Sequence, residues 1–183
     1  MAYNFSKLKE KAKNLQEWLG KEFGGVRTSR ANPNILDAVT VDVYGSKMPI
    51  RQLASITNED PRTMRIVPYD TTQAKAIEKA ITLANLGLSV GADDKGVRVS
   101  FPDLTSERRL ALIKVAKEKL EQAKISLRKL RDEEVDEIQK MEKAKTISED
   151  EKFRLKAELQ KIIDGESKIL DDNFAKKEKE ISS

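Results

Sequence analysis

Residues 105–151, TSERRLALIKVAKEKLEQAKISLRKLRDEEVDEIQKMEKAKTISEDE, decide the architecture. Apolar residues at Ile113, Ala116, Leu120, Ala123, Leu127 and Leu130 keep heptad spacing, and the seam then slips by one to Val135, Ile138 and Met141. This predicts one helix from Thr105 to Lys145, about 60 Å long at 1.5 Å per residue. Thr146-Ile147-Ser148 turns the chain. Ser148-Glu149-Asp150-Glu151 is a capping box that opens another long helix, with Leu155, Leu159, Ile162, Ile163, Leu170 and Phe174 as its apolar face. The two helices are expected to run antiparallel.

A helical hairpin leaves one seam uncovered, so a third helix is needed. Phe5, Leu8, Ala12, Leu15 and Leu19 supply its stripe, which continues to Val26 through one polar step at Glu22, with Trp18 beside the seam. Gly24-Gly25 and the polar cluster 28–34 (TSRANPN) end that helix. Between the first helix and the other two the period changes to two. Val39, Val41 and Val43 alternate with Thr40, Asp42 and Tyr44, and Gly45-Ser46 turns the chain toward Met48 and Ile50. Short strands follow at Leu53–Thr57 and Thr63–Val67, the second stopped by Pro68. One helix from Thr71 or Thr72 carries Ala74, Ile77, Ile81 and Ala84 and ends near Gly87, and a last hairpin turns through residues 91–96. The fold class is therefore α+β: an elongated antiparallel three-helix bundle, residues 1–29 with 105–183, into which a small β/α/β domain, residues 30–104, is inserted. Two chain crossings join the parts. Ser29, Arg30 and Ala31 in one, and Pro102, Asp103, Leu104 and Thr105 in the other, are hinge candidates.

The composition narrows the chemistry. The 183 residues contain no His and no Cys, which excludes imidazole proton shuttles, thiol nucleophiles, disulfides and Cys/His metal sites. Neither GxxxxGK[ST] nor GxGxxG occurs, so no phosphate loop is expected. Asp93-Asp94 and Asp171-Asp172 pair carboxylates without a second cluster at catalytic spacing, which favours loop and helix-surface duty. No apolar run approaches the ~20 residues of a membrane span, and the N-terminus has neither a secretory block nor an Arg-rich transit pattern, so a cytoplasmic protein with no membrane partner is expected.

Charge is mildly basic, +4 overall, and unevenly spread. Thr105–Arg131 has nine basic and three acidic residues, and Asp132, Glu133, Glu134, Asp136 and Glu137 follow at once. Lys117, Lys124, Arg128 and Arg131 are spaced by seven, four and three, which puts them on one stripe beside the apolar seam. Arg27 and Arg30 start the crossing segment and can join them. For a single lysine the simpler reading is a solvated helix charge. The arginine pair points to function, because guanidinium forks read phosphate bidentately, and such contacts without interleaved aromatics suit the backbone of a structured RNA.

Five stretches carry a family resemblance: 26–37 (VRTSRANPNILD), 44–54 (YGSKMPIRQLA), 76–88 with AIEKAI and LGL, 104–109 (LTSERR) and 127–131 (LRKLR). In this order and over nearly the whole length, the chain resembles the ribosome recycling factors. The resemblance implies an L-shaped molecule close to transfer RNA in size, holding no nucleotide or other cofactor. It implies binding to the 70S ribosome after termination, with the bundle along large-subunit ribosomal RNA. Elongation factor G with GTP then drives the subunits apart, and initiation factor three acts downstream to keep them apart. By position, Arg128 and Arg131 match the family's RNA-gripping arginines, and Arg27 and Arg30 its hinge-side ones. Three departures stand out: Asp132 where a second arginine is frequent, Ser29 where glycine is common, and Phe101 where a proline precedes Pro102.

The expected function is thus a monomeric, non-enzymatic translation factor, with Arg27, Arg30, Lys117, Lys124, Arg128 and Arg131 facing RNA. A helical scaffold or chaperone-like binder that offers its seam to partner helices is the alternative.

Overall fold

A computed structural model describes residues 3–43 and 45–182. Tyr44, assigned to the strand alternation above, lies outside the described residues. The elements run α1 (Ser6–Gly25), a 3-10 turn (Pro33–Leu36), β1 (Thr40–Val43), β2 (Ser46–Pro49), α2 (Ile50–Leu53), β3 (Ala54–Asp60), β4 (Thr63–Pro68), a 3-10 turn (Thr71–Gln73), α3 (Ala74–Leu83), β5 (Ser89–Asp93), β6 (Gly96–Ser100), α4 (Ser106–Lys143) and α5 (Glu149–Ser182). The chain divides into two compact units, Met1–Phe23 with Val115–Glu178, and Gly24–Lys114 with Lys179–Ser183.

The first unit is helical. The heptad positions Ala116, Leu120, Ala123 and Leu127 of α4 are all buried, as are Leu8, Ala12 and Leu19 of α1 and Leu155, Leu159, Ile163 and Leu170 of α5. Burying one such leucine or isoleucine stabilises by roughly 1.5–3 kcal/mol. Polar contacts give the directions. Lys11 meets Glu133 at 3.0 Å and Glu22 meets Lys119 at 2.7 Å, so α1 and α4 are antiparallel. Glu142 meets Lys152 at 3.6 Å and Lys124 meets Asp171 at 2.7 Å, so α4 and α5 are antiparallel too. Gln16 bonds Glu166, and Phe23 packs on Phe174 with ring centroids 6.5 Å apart, so α1 and α5 are parallel. At 38 residues, α4 is about 57 Å long. The turn into α5 places Lys145 at φ 59°, with the Ser148 hydroxyl accepting from the Glu151 N–H at 3.1 Å. The N-terminal phenol of Tyr3 donates to Glu134 at 2.5 Å, and burial together with that carboxylate raises its pKa.

The second unit holds the sheets. β1 and β2 form a separate hairpin, while β3, β4, β6 and β5, in that order, make an antiparallel sheet. Met64, Ile66, Val97 and Val99 line its inner face, against which α3 lays Ile77 and Ile81 and the β1 valines Val41 and Val43 close the core. The last hairpin is tighter than its glycines suggested. Gly91, Ala92 and Asp93 are paired in β5, and only Asp94 and Lys95 turn, with the Asp93 carboxylate accepting the Lys95 N–H at 2.9 Å. As expected from the glycine pair, α1 ends at Gly25.

Candidate nucleic-acid interface

In the helical unit, α4 is unbroken across its basic residues, so the 3.6-residue period places Lys117, Lys124, Arg128 and Arg131 within about 60° of one another around the axis. Their states differ. Arg128 is exposed and has no hydrogen-bond or ion-pair partner among the described residues, and Lys117 is exposed likewise. Lys124 is half-buried and salt-bridged to Asp171 of α5, so one of the paired carboxylates read from the sequence serves helix packing. Arg131 is 40 % exposed and held by the adjacent residue: its Nε and one terminal nitrogen donate to the same Asp132 oxygen at 3.0 and 2.8 Å. A phosphate that takes Arg131 must first displace that carboxylate. An exposed pair of this kind contributes about 0–1 kcal/mol, so the competition is real but weak.

In the second unit, Arg30 is exposed with an unengaged side chain among the described residues, while its N–H reaches the Thr28 hydroxyl at 3.3 Å. Arg27 departs from the expected RNA-facing role. It is only 7 % exposed, and its two terminal nitrogens donate to the carbonyls of Gly87 and Pro102, each at 2.6 Å. Burial, with the nearby Arg108 charge, lowers its pKa, and no carboxylate offsets this. The physical reason is the company it keeps: Val26, Thr28 and Ser29 are buried with it, so the start of the crossing segment is packed.

Of the hinge candidates, Ser29 and Leu104 are buried, Ala31 is intermediate, and Arg30, Pro102, Asp103 and Thr105 are exposed. Ala31 donates to the Pro61 carbonyl at 2.8 Å, Asp103 pairs with Arg62 at 2.8 Å, Leu104 is buried, and the Thr105 hydroxyl caps α4 by accepting from Arg108 at 3.2 Å. Sequence reasoning missed the acceptors of Arg27, because backbone carbonyls carry no residue signature. The one available sign was Leu86-Gly-Leu88, whose glycine sits at φ 70°.

The sheet's outer side carries a second charged group. Arg65 bridges Glu59 at 2.7 Å and Asp93 at 2.5 Å, and Arg98 shares Glu59 at 3.1 Å. Its arginines are neutralised where Arg128 is not. Among the described residues no group of acidic side chains is placed to hold a metal ion, and no helix is long and apolar enough to cross a membrane.

Comparison with known proteins gives a consistent result. The family model described as ribosome recycling factor matches residues 19–181. The chain is 42 % identical over 174 residues to a ribosome-recycling factor of Rickettsia prowazekii, covering 95 % of this chain and 94 % of the relative. It is 41 % identical over 178 residues to that of Synechocystis, covering 97 % and 98 %. A solution structure of the ribosome recycling factor superposes with a TM-score of 0.72 at 35 % identity, covering 97 % of this chain and 95 % of that one. A second match, with a TM-score of 0.67 at 36 % identity and coverage of 97 % and 96 %, comes from models of the T. thermophilus factor and E. coli elongation factor G bound to the E. coli post-termination complex.

Proposed function

The chain belongs to the ribosome recycling factor family, and from this premise we propose how its residues carry out the family's task. It binds the post-termination ribosome and, with elongation factor G and GTP, promotes dissociation into subunits. In our reading it is a monomeric, cytoplasmic, non-enzymatic factor, and GTP is cleaved by elongation factor G alone. Initiation factor three acts afterwards on the separated subunits. The helical domain, residues 1–29 and 105–183, anchors on large-subunit ribosomal RNA, and residues 30–104 form the part joined to it through the hinge.

The exposed, unpartnered guanidinium of Arg128, midway along a 38-residue helix, is the observation that supports this anchor. Lys117 and Arg30 add open cations, Arg131 adds a guarded one, and Lys124 contributes through packing. A rod of this length presents its charges at fixed spacing along a polyanion, and each phosphate neutralised releases counterions. The scaffold alternative needs an open seam, whereas Ala116, Leu120, Ala123 and Leu127 are covered by the chain's own helices.

Sedimentation of post-termination ribosomes with this protein, elongation factor G and GTP tests the reading. Separate 30S and 50S peaks that require all three additions are expected. Persistence of 70S particles, or splitting that proceeds without elongation factor G, overturns it.

A further inference from the structure

Arg27 is conspicuous because nothing in RNA binding explains its placement. A buried cation is costly unless something holds it, and here the holders are two neutral carbonyls, 60 and 75 residues along the chain. They belong to different segments: Gly87 lies in the turn between α3 and β5, and Pro102 lies in the stretch leaving β6 for α4. Lysine could aim its ammonium at one of them, whereas the planar arginine fork reaches both at fixed geometry.

Three surrounding features converge on the same place. Both crossings dock on one turn, since Ala31 donates to the Pro61 carbonyl and Phe101 to the Arg62 carbonyl, each at 2.8 Å. Gly87 is doubly required: its φ of 70° disfavours any side chain, and a Cβ there would stand 2.7 Å from the Arg27 guanidinium. Finally, Arg27 Nε and the Ser29 hydroxyl are buried and have no partner among the described residues, a state that is rare in native interiors.

We propose that Arg27 is a positioning residue that clasps the two chain crossings together and to the turn after α3, so that the base of the β-rich module moves as one body when elongation factor G acts on it. This rests on the recycling reading above. With the clasp closed, the entering and leaving strands share load; with it open, each crossing flexes separately and part of the push is absorbed. Arg27 accordingly matters for the splitting step and little for ribosome affinity.

The test uses the full chain, with Arg27→Lys and Gly87→Ala as variants. Lysine keeps the charge that a phosphate would need but cannot hold both carbonyls; alanine leaves Arg27 intact but displaces its guanidinium. Two quantities are read for each: ribosome dissociation constant across a salt series, and the rate of subunit splitting by elongation factor G and GTP at saturating factor, followed by light scattering. For both variants the clasp predicts affinity within about twofold of the parent, an unchanged salt slope, and a saturated splitting rate lowered about fivefold or more. A lysine variant with parental binding, salt slope and saturated rate would fit a phosphate contact, which needs only the charge, and overturn the clasp, and so would a Gly87→Ala variant whose saturated rate is parental. Should the variants melt below assay temperature, hydrogen exchange of the parent decides. Amides of Asp103 and Leu104 protected as strongly as those of β4 and β6 support the clasp, and exchange at the rate of an unstructured chain overturns it. A parent protein that splits no ribosomes would fail the recycling reading instead, a different result from all of these.

Discussion

Two arginine-bearing regions, α4 around Arg128 and the segment around Arg27, use one side chain for opposite ends. Arg128 is exposed with no side-chain partner among the described residues, on a helix whose buried face is leucine, alanine and isoleucine. Arg27 is enclosed, with both terminal nitrogens on backbone carbonyls. The difference teaches that the function of an arginine follows from which acceptors the fold has already placed around it. An open fork is available to a phosphate, whereas a filled one is part of the frame.

The contrast breaks most visibly in stability. Arg27→Met removes both guanidinium bonds, to the Gly87 and Pro102 carbonyls, and is expected to cost about 2 kcal/mol, since loss of charge-assisted bonds is among the larger single effects. Arg128→Ala should lie within about 0.5 kcal/mol of the parent, as surface changes usually do. Urea unfolding of the two variants measures both; equal midpoints would erase the distinction.

Affinity should reverse the order. Arg128→Ala is expected to weaken ribosome binding about tenfold, or about 1.4 kcal/mol, with a reduced salt slope. A smaller loss, about threefold, is expected for Arg131→Ala, because the parent must displace Asp132 before that guanidinium meets RNA. The complementary change sharpens the comparison. Asp132→Asn frees Arg131 and removes a repelling charge, so binding should tighten by about twofold to threefold at low salt. Filter binding over a salt series reads all three, and a looser Asp132→Asn complex would show that the aspartate orients Arg131 instead of guarding it.

The smallest effect concerns pH. The Arg65 guanidinium bonds Asp93, and that bond, with the Lys95 N–H, holds the Asp93 carboxyl below its usual 3.8. A depressed carboxyl contributes stability that is fully present above its unfolded pKa and is lost as pH falls through the lower folded value. The sheet should therefore weaken only below about pH 4, slightly because the group is exposed. Arg27 bonds carbonyls, which do not titrate, so its clasp should persist through that window. Thermal melts of the parent and Asp93→Asn between pH 2 and 5 are expected to show a shallower acid dependence in the variant.

Much of the fold was legible because its signals are local. The heptad seam of α4 contains its buried positions Ala116, Leu120, Ala123, Leu127 and Ile138, Ser148 caps the helix it was expected to open, and the valines of β1 face the core in the expected alternation. The hairpin at residues 91–96 is narrower than its glycines suggest, because pairing with β6 draws Gly91 into the strand. The site divided in the same manner. Exposure at Arg128 and Lys117 follows from their place on an amphipathic helix. The engagement of Lys124 by Asp171 and of Arg27 by two carbonyls does not, since each depends on a partner far away in the chain.

Taken alone, the order of residues established three helices, an inserted sheet module and a chain without imidazole or thiol chemistry, because periodicity, capping and composition are properties of neighbours, while the family resemblance came from five particular stretches. Tertiary structure alone decided which cations stay open. An arginine's donors pair with whatever acceptor folding brings within about 3 Å, and Arg27 found carbonyls from two remote segments before any RNA could reach it.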